Sequence, residues 1–297
     1  MKKETTRQKA MMTSFPAFGI LLRSRSNRQA LFSLLQENSG LPGPRANLEL
    51  GYSFARAATS QHLQEWQWEM ILGMASISAS KAPANTAKEY LPFCGLVALG
   101  ALLADGLPRA RRRAALAAVQ RAASDSRWRT REASAMALQL IGERDTAALK
   151  QIVEEWIPHA SLIEKRAIIA GLAHPPILGD KQFALFCLNV SSSVLKALSE
   201  AGARERRSEE FRVLRQGLGY AVSVFVEKAP EEGFGMLRKA ALMDDEDVRW
   251  VVRENLKKKR IASKYPSEVK AVADLMGGVK PGPSTVRGPG EGLTSAR

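Results

Sequence analysis

Apolar residues recur along most of this chain at the three- and four-residue intervals of an amphipathic helix, and no segment shows sustained alternation of apolar and polar positions. The pattern predicts helices over 27–37, 44–58 and from Ser60, where Leu63, Trp66, Met70, Ile71 and Met74 fall at helical spacing. It predicts others over 87–103 and 109–123, then a regular run near 126–142, 145–157, 160–173, 180–200, 209–228, 231–243, 246–260 and 266–276. No sheet is expected. Ala and Leu dominate the apolar set and aromatics make up only 6%, which suits closely packed helices better than a β-rich core.

The breaks are as informative as the runs. Ser39-Gly40-Leu41-Pro42-Gly43-Pro44 stops one helix and restarts the next, and Asp105-Gly106-Leu107-Pro108 does the same further on. Residues 1–24 read as a basic N-terminal arm, because Pro16 and Gly19 break its apolar stretch and Arg23-Ser24-Arg25 follows without a cleavage signature. Residues 277–297 are dominated by Gly, Pro, Ser and Thr, so the tail lacks an apolar face to offset the entropy of ordering and is expected to be disordered. Between them, 25–276 reads as one helical repeat domain. The apolar run Leu91 to Ala104 is shorter than the roughly 20 residues a bilayer requires, so it reads as a buried helix and no membrane span is expected.

One motif occurs twice. Asp125-Ser126-Arg127-Trp128-Arg129-Thr130-Arg131-Glu132 and Asp247-Val248-Arg249-Trp250-Val251-Val252-Arg253-Glu254 both read Asp-x-x-Trp-x-x-Arg-Glu. Weaker echoes surround Arg166 and Arg215, giving steps of 35 (131 to 166), 49 (166 to 215) and 38 (215 to 253). Periods near 40 with two helices each resemble HEAT- and armadillo-type arrays. The second helices of HEAT repeats often open with an Asp followed by an apolar residue and an Arg. The resemblance is carried by residues 107–262, is weaker over 25–106, and is absent from the tail. It implies an all-α, HEAT-like α-α superhelix, a solenoid of helical hairpins.

On a helical wheel of about 100° per residue, Val248, Val251, Val252 and Leu256 share one side. Trp250 lies nearly opposite, beside Arg253 and Lys257. In the earlier copy Ala133, Ala137, Leu140 and Ile141 form the apolar side, and Trp128 again lies opposite with Arg131. Asp125 and Asp247 stand where helix N-caps belong. Two readings stay open: each Trp packs on the neighbouring repeat while the Arg pairs with that neighbour's Asp, or Trp, Arg and Lys line a surface that meets a partner.

Charge bears on that choice. Lys+Arg 44 against Asp+Glu 30 leaves +14, an excess that attracts nucleic acid and other polyanions. Cations cluster at Arg109 to Arg113, Arg127 to Arg131, Arg204 to Arg207 and Arg249 to Arg260, and stacked repeats would align them into a stripe of salt-dependent phosphate binding. Catalytic and metal chemistry is not indicated. The three histidines, His62, His159 and His174, sit in no ligand motif, and Cys94 and Cys187 form no CxxC. No phosphate loop or nucleophile elbow occurs.

The expectation is a non-catalytic scaffold that needs no cofactor or metal. It would be a cytoplasmic monomer presenting a basic curved surface to a protein or polyanionic partner. Trp128, Arg131, Trp250, Arg253 and Lys257 are the candidate contacts, with Arg109, Arg112 and Arg113 as supporting cations. The alternative is a DNA-binding enzyme. Bacterial DNA alkylation repair glycosylases are similar HEAT-like solenoids with a basic concave face, and Trp128 and Arg131 match that family's Trp-x-x-Arg helix start. Where that family places a catalytic Asp near an upstream Trp, this chain has Glu65-Trp66-Gln67-Trp68-Glu69.

Overall fold

The computed structural model describes residues 18–60 and 62–277. The arm as far as residue 17, and the tail from 278, lie outside the described residues. Regular structure among the described residues is helical throughout, with no strand. Contacts divide the chain into two compact units, one ending at Asp145 and the other beginning at Thr146.

The first unit contains α1 (Arg28–Glu37), α2 (Leu48–Thr59), α3 (Glu65–Ala75), α4 (Tyr90–Asp105), α5 (Arg109–Ala123) and α6 (Trp128–Arg144). It begins earlier than the expected boundary at 25. Phe18 and Leu22 are fully buried, Phe18 packing edge-on to Phe54 with ring centroids 5.6 Å apart. The Leu22 carbonyl accepts from Gln67 Nε2 at 2.6 Å. Two helix starts also differ from expectation. α2 opens at Leu48 rather than 44, because the Asn47 side chain accepts from Leu50 N–H and makes the cap. α3 opens at Glu65, where Gln64 and Gln67 form a reciprocal capping box, and Ser60 instead closes the helix before it.

Helix α4 is the centre of this unit. It is apolar all round, and a helix with that composition belongs inside. α2, α3 and α6 pack against it. Two glycines set how close they come. A Cβ on Gly95 would stand 2.4 Å from the Ala75 backbone nitrogen, and one on Gly100 would stand 2.5 Å from Ala137 Cα. With the turn that precedes it, Ala87–Asp105 is long and apolar enough to cross a membrane by length and composition. The apolar run alone suggested a shorter element. Here 78% of the 18-residue apolar window of Ala87–Asp105 is buried inside the protein.

The second unit contains α7 (Thr146–Trp156), α8 (Leu162–Leu172), α9 (Lys181–Ser199), α10 (Glu209–Lys228), α11 (Pro230–Ala241), α12 (Glu246–Leu256), the short α13 (Lys259–Ala262) and α14 (Pro266–Leu275). α10 is central, contacting α8, α9, α11 and α12. Its start is set by Ser208, whose hydroxyl accepts from Phe211 N–H at 3.1 Å. α12 is locked to it by Asn255, which is fully buried. The Asn255 amide donates to the carbonyls of Leu218 at 2.9 Å and Val251 at 2.8 Å, and its oxygen accepts from Ser223 N–H at 2.7 Å.

Both units share a packing scheme. In each, every second helix contacts the next but one: α2, α4 and α6 in the first unit, α8, α10 and α12 in the second, with α3 and α5 against α4 and with α9 and α11 against α10.

Candidate binding surface

The two copies of the repeated motif fold in different frames. Trp128 is the first residue of α6, whereas Trp250 is the fifth residue of α12. Neither motif Asp makes the expected N-cap. In the later copy Asp245 does so, accepting from Val248 N–H at 2.8 Å, which places Asp247 inside the first turn. In the earlier copy Asp125 stays in the loop and folds back on Arg127, accepting from its backbone N–H and its Nε at 2.8 Å each and from Nη2 at 2.6 Å.

That fold-back turns an expected surface cluster inward. Arg127 is only 2% exposed and also donates to the carbonyls of Ala82 at 3.0 Å and Ile77 at 2.8 Å, tying down the loop between α3 and α4. Burial alone would raise the Asp125 pKa. The hydrogen bonds and charge of Arg127, joined by the charge of Arg131, outweigh it and hold the carboxyl below the usual range. Arg129 is buried as well, paired at 3.3 Å with Glu89, which is itself fully buried, and donating to the Gly43 carbonyl. Trp128 sits on the outside of this pair, 44% exposed, with the Arg129 guanidinium 4.8 Å from its ring centroid. Arg131 donates to the carbonyls of Asp125 at 2.7 Å and Ser126 at 3.1 Å, closing the turn that leads into α6.

Arg109, Arg112 and Arg113 take the i, i+3 and i+4 positions of one face at the start of α5. None of the three forms an ion pair with another described residue. Their neighbour Arg111 differs: it pairs with Glu65 and lies 5.6 Å from the Trp68 ring centroid.

In the second unit Trp250 is half-buried against α10. A Cβ on Gly219 would stand 3.0 Å from its ring, and the Arg215 guanidinium lies 4.5 Å from its centroid. Arg215 also pairs with Asp247. The basic residue of one weak echo thus meets the Asp of the next motif copy. Arg206 reaches the same acids, at 2.7 Å from Asp247 and 2.6 Å from Asp245. Arg253 pairs with Glu246, and Lys257 pairs at 2.6 Å with Glu254. These last two candidate contacts are therefore neutralised within their own helix or at its end.

Beside the Asp247 cluster lies a cleft of about 360 Å³ at the start of α10, lined by Arg206, Arg207, Arg212, Arg215, Glu209 and Asp247, with Ser208 and Phe211. Of the repeated-motif residues it includes only Asp247. The composition of Arg204 to Arg207 flagged its basic character. Its closure by Asp247 was not legible, because the partners are 32 and 41 residues apart. Among the described residues no group of three or more His, Cys, Asp and Glu side chains is placed to hold a metal ion.

Compared with protein-family models and with curated proteins, the chain matches none.

Proposed function

We propose that this chain is a non-catalytic binding protein, built as a solenoid of HEAT-like helical hairpins, whose basic surface holds a polyanionic partner in the cytoplasm. The stacking of every second helix on the next but one, in both units, supports the hairpin-repeat reading. The observation that carries the binding reading is the unneutralised face of α5. Arg109, Arg112 and Arg113 stand together and none of them pairs with a carboxylate among the described residues. They also stand at a helix N-terminus, where the helix dipole disfavours cations and favours an incoming anion.

Titration of a fluorescent duplex DNA, with heparin as a second polyanion, tests this. Binding is expected at about 50 mM salt, falling steeply as salt rises. Replacing Arg109, Arg112 and Arg113 by Ala should reduce the slope of log K against log salt by about two to three. Absence of binding to either polyanion at about 50 mM salt removes the proposal.

A further inference from the structure

Helix α10 carries a line of exposed side chains that starts at the arginine-lined cleft. Arg212, Gln216 and Tyr220 are exposed and four residues apart, so they stand one above another on a single face. At 1.5 Å per residue, Tyr220 is about 12 Å along the helix from Arg212. Tyr220 is 47% exposed, which is unusual for a ring on the central helix of a unit. Two cations attend it: Arg260 lies 5.0 Å from its centroid and donates to its hydroxyl at 3.2 Å, and Lys258 lies 5.6 Å away. Neither Lys258 nor Arg260 has a carboxylate partner among the described residues, in contrast to Lys257 and Lys264, which pair with Glu254 and Glu227. At the cleft end, Arg206 and Arg215 are committed to Asp245 and Asp247. Arg207 and Arg212 are exposed and have no carboxylate partner among the described residues.

We infer that this face of α10 is a track for single-stranded nucleic acid: Arg207 and Arg212 take backbone phosphates at the cleft, and Tyr220, flanked by Lys258 and Arg260, takes a base by stacking. The inference rests on the basic-surface reading above and specifies a ligand and a place for it. Charge alone would suit any polyanion. The exposed ring beside two cations selects one whose phosphates come with flat, unpaired bases, because every base presents a π-face to an aromatic side chain. A duplex keeps its bases stacked inside and offers Tyr220 nothing to stack on. An acidic peptide would use the arginines and leave the ring idle.

Fluorescence anisotropy of the full chain with labelled oligothymidine, a duplex of equal length, and heparin separates these outcomes. The expected result is preference for oligothymidine over duplex. Tyr220→Ala should weaken oligothymidine about tenfold or more while leaving heparin unchanged, and Tyr220→Phe should retain binding. Arg207→Ala with Arg212→Ala should weaken oligothymidine and heparin alike. These residues are exposed, so the variants should fold, which circular dichroism verifies. Unchanged oligothymidine affinity in Tyr220→Ala overturns the track, as does equal loss of heparin in that variant. If oligothymidine binding survives all the α10 changes but is lost when Arg109, Arg112 and Arg113 become Ala, the basic-surface reading stands and the track falls. If neither oligothymidine nor heparin binds at about 50 mM salt, both fall.

Discussion

The guanidinium of Arg215 stands 4.5 Å from the centroid of the Trp250 ring and at the same time pairs with Asp247, three residues before that tryptophan. One cation thus joins α10 to two side chains of α12, and Gly219 leaves room for the ring to lie against α10. The contact is expected to cement the two helices. Trp250→Ala should cost about 2–4 kcal/mol, less than a fully buried Trp because the ring is half-exposed. A double-mutant cycle of Arg215→Ala with Trp250→Ala should show a coupling of about 0.5–2 kcal/mol. Urea unfolding of the full chain measures both, and a coupling near zero would mean the stacked geometry contributes nothing.

Asp125 supplies a pH-dependent contribution whose sign follows from its environment. Its folded pKa lies below the ordinary value, so the fold favours the ionised form. The stability it supplies is fully present above about pH 5. It is lost as pH falls through the unfolded value near 4 toward the lower folded one. Asp125→Asn keeps the shape and removes the charge. The variant should melt well below the wild type at pH 7, by an amount corresponding to about 1–3 kcal/mol, because Arg127 stays buried with only carbonyls to meet its charge. The gap should narrow at pH 3. Thermal melts at the two pH values decide it, and a gap that widens in acid would contradict the assignment.

Much of the helical layout was legible in the sequence, and the reasons differ by element. The span 209–228 coincides with α10 and 109–123 with α5, because Ser208 and Pro108 mark their starts with strong local chemistry. The frame of the repeated motif was not legible. Asp244, Asp245, Glu246 and Asp247 offer several competing caps within four residues, and of these Asp245 takes the role. The candidate site was less legible still. Wheel positions put Trp128 and Trp250 on comparable faces, yet one is open and the other is packed on a glycine of α10. That glycine is 31 residues upstream of Trp250, and periodicity within a single helix cannot register it. Tyr220 was not legible for a similar reason: its neighbours Lys258 and Arg260 come from a different helix and the turn before it.

Close helix approach in the first unit depends on Gly100. A Cβ there would meet the Ala137 backbone at 2.5 Å and its Cβ at 2.7 Å, so a whole helix must move rather than a side-chain end. Gly100→Ala should therefore destabilise by about 1–3 kcal/mol. The contrast lies at Gly73 in α3 and Gly235 in α11, where a Cβ meets nothing within 4 Å. There the substitution only restricts the unfolded chain and improves helix propensity, so Gly73→Ala and Gly235→Ala should each stabilise by about 0.5–1 kcal/mol. Melting temperatures of the three variants check the opposite signs.

The two cysteines offer an internal probe of each unit. Cys94 lies in α4 and Cys187 in α9, both without exposed surface and both free. Burial pushes each thiol well above its ordinary pKa, so almost no thiolate exists at neutral pH. Neither should react with a bulky aromatic disulfide in the native protein, and both should react in denaturant. Because one thiol sits in each compact unit, labelling across a urea gradient followed by peptide mapping reports the opening of each separately. Cys94 belongs to the helix with the most extensive packing in the first unit, so its labelling should track the loss of that unit's helicity. Reaction of Cys94 at urea concentrations that leave the helical signal intact would show that α4 is not the closed centre its packing implies.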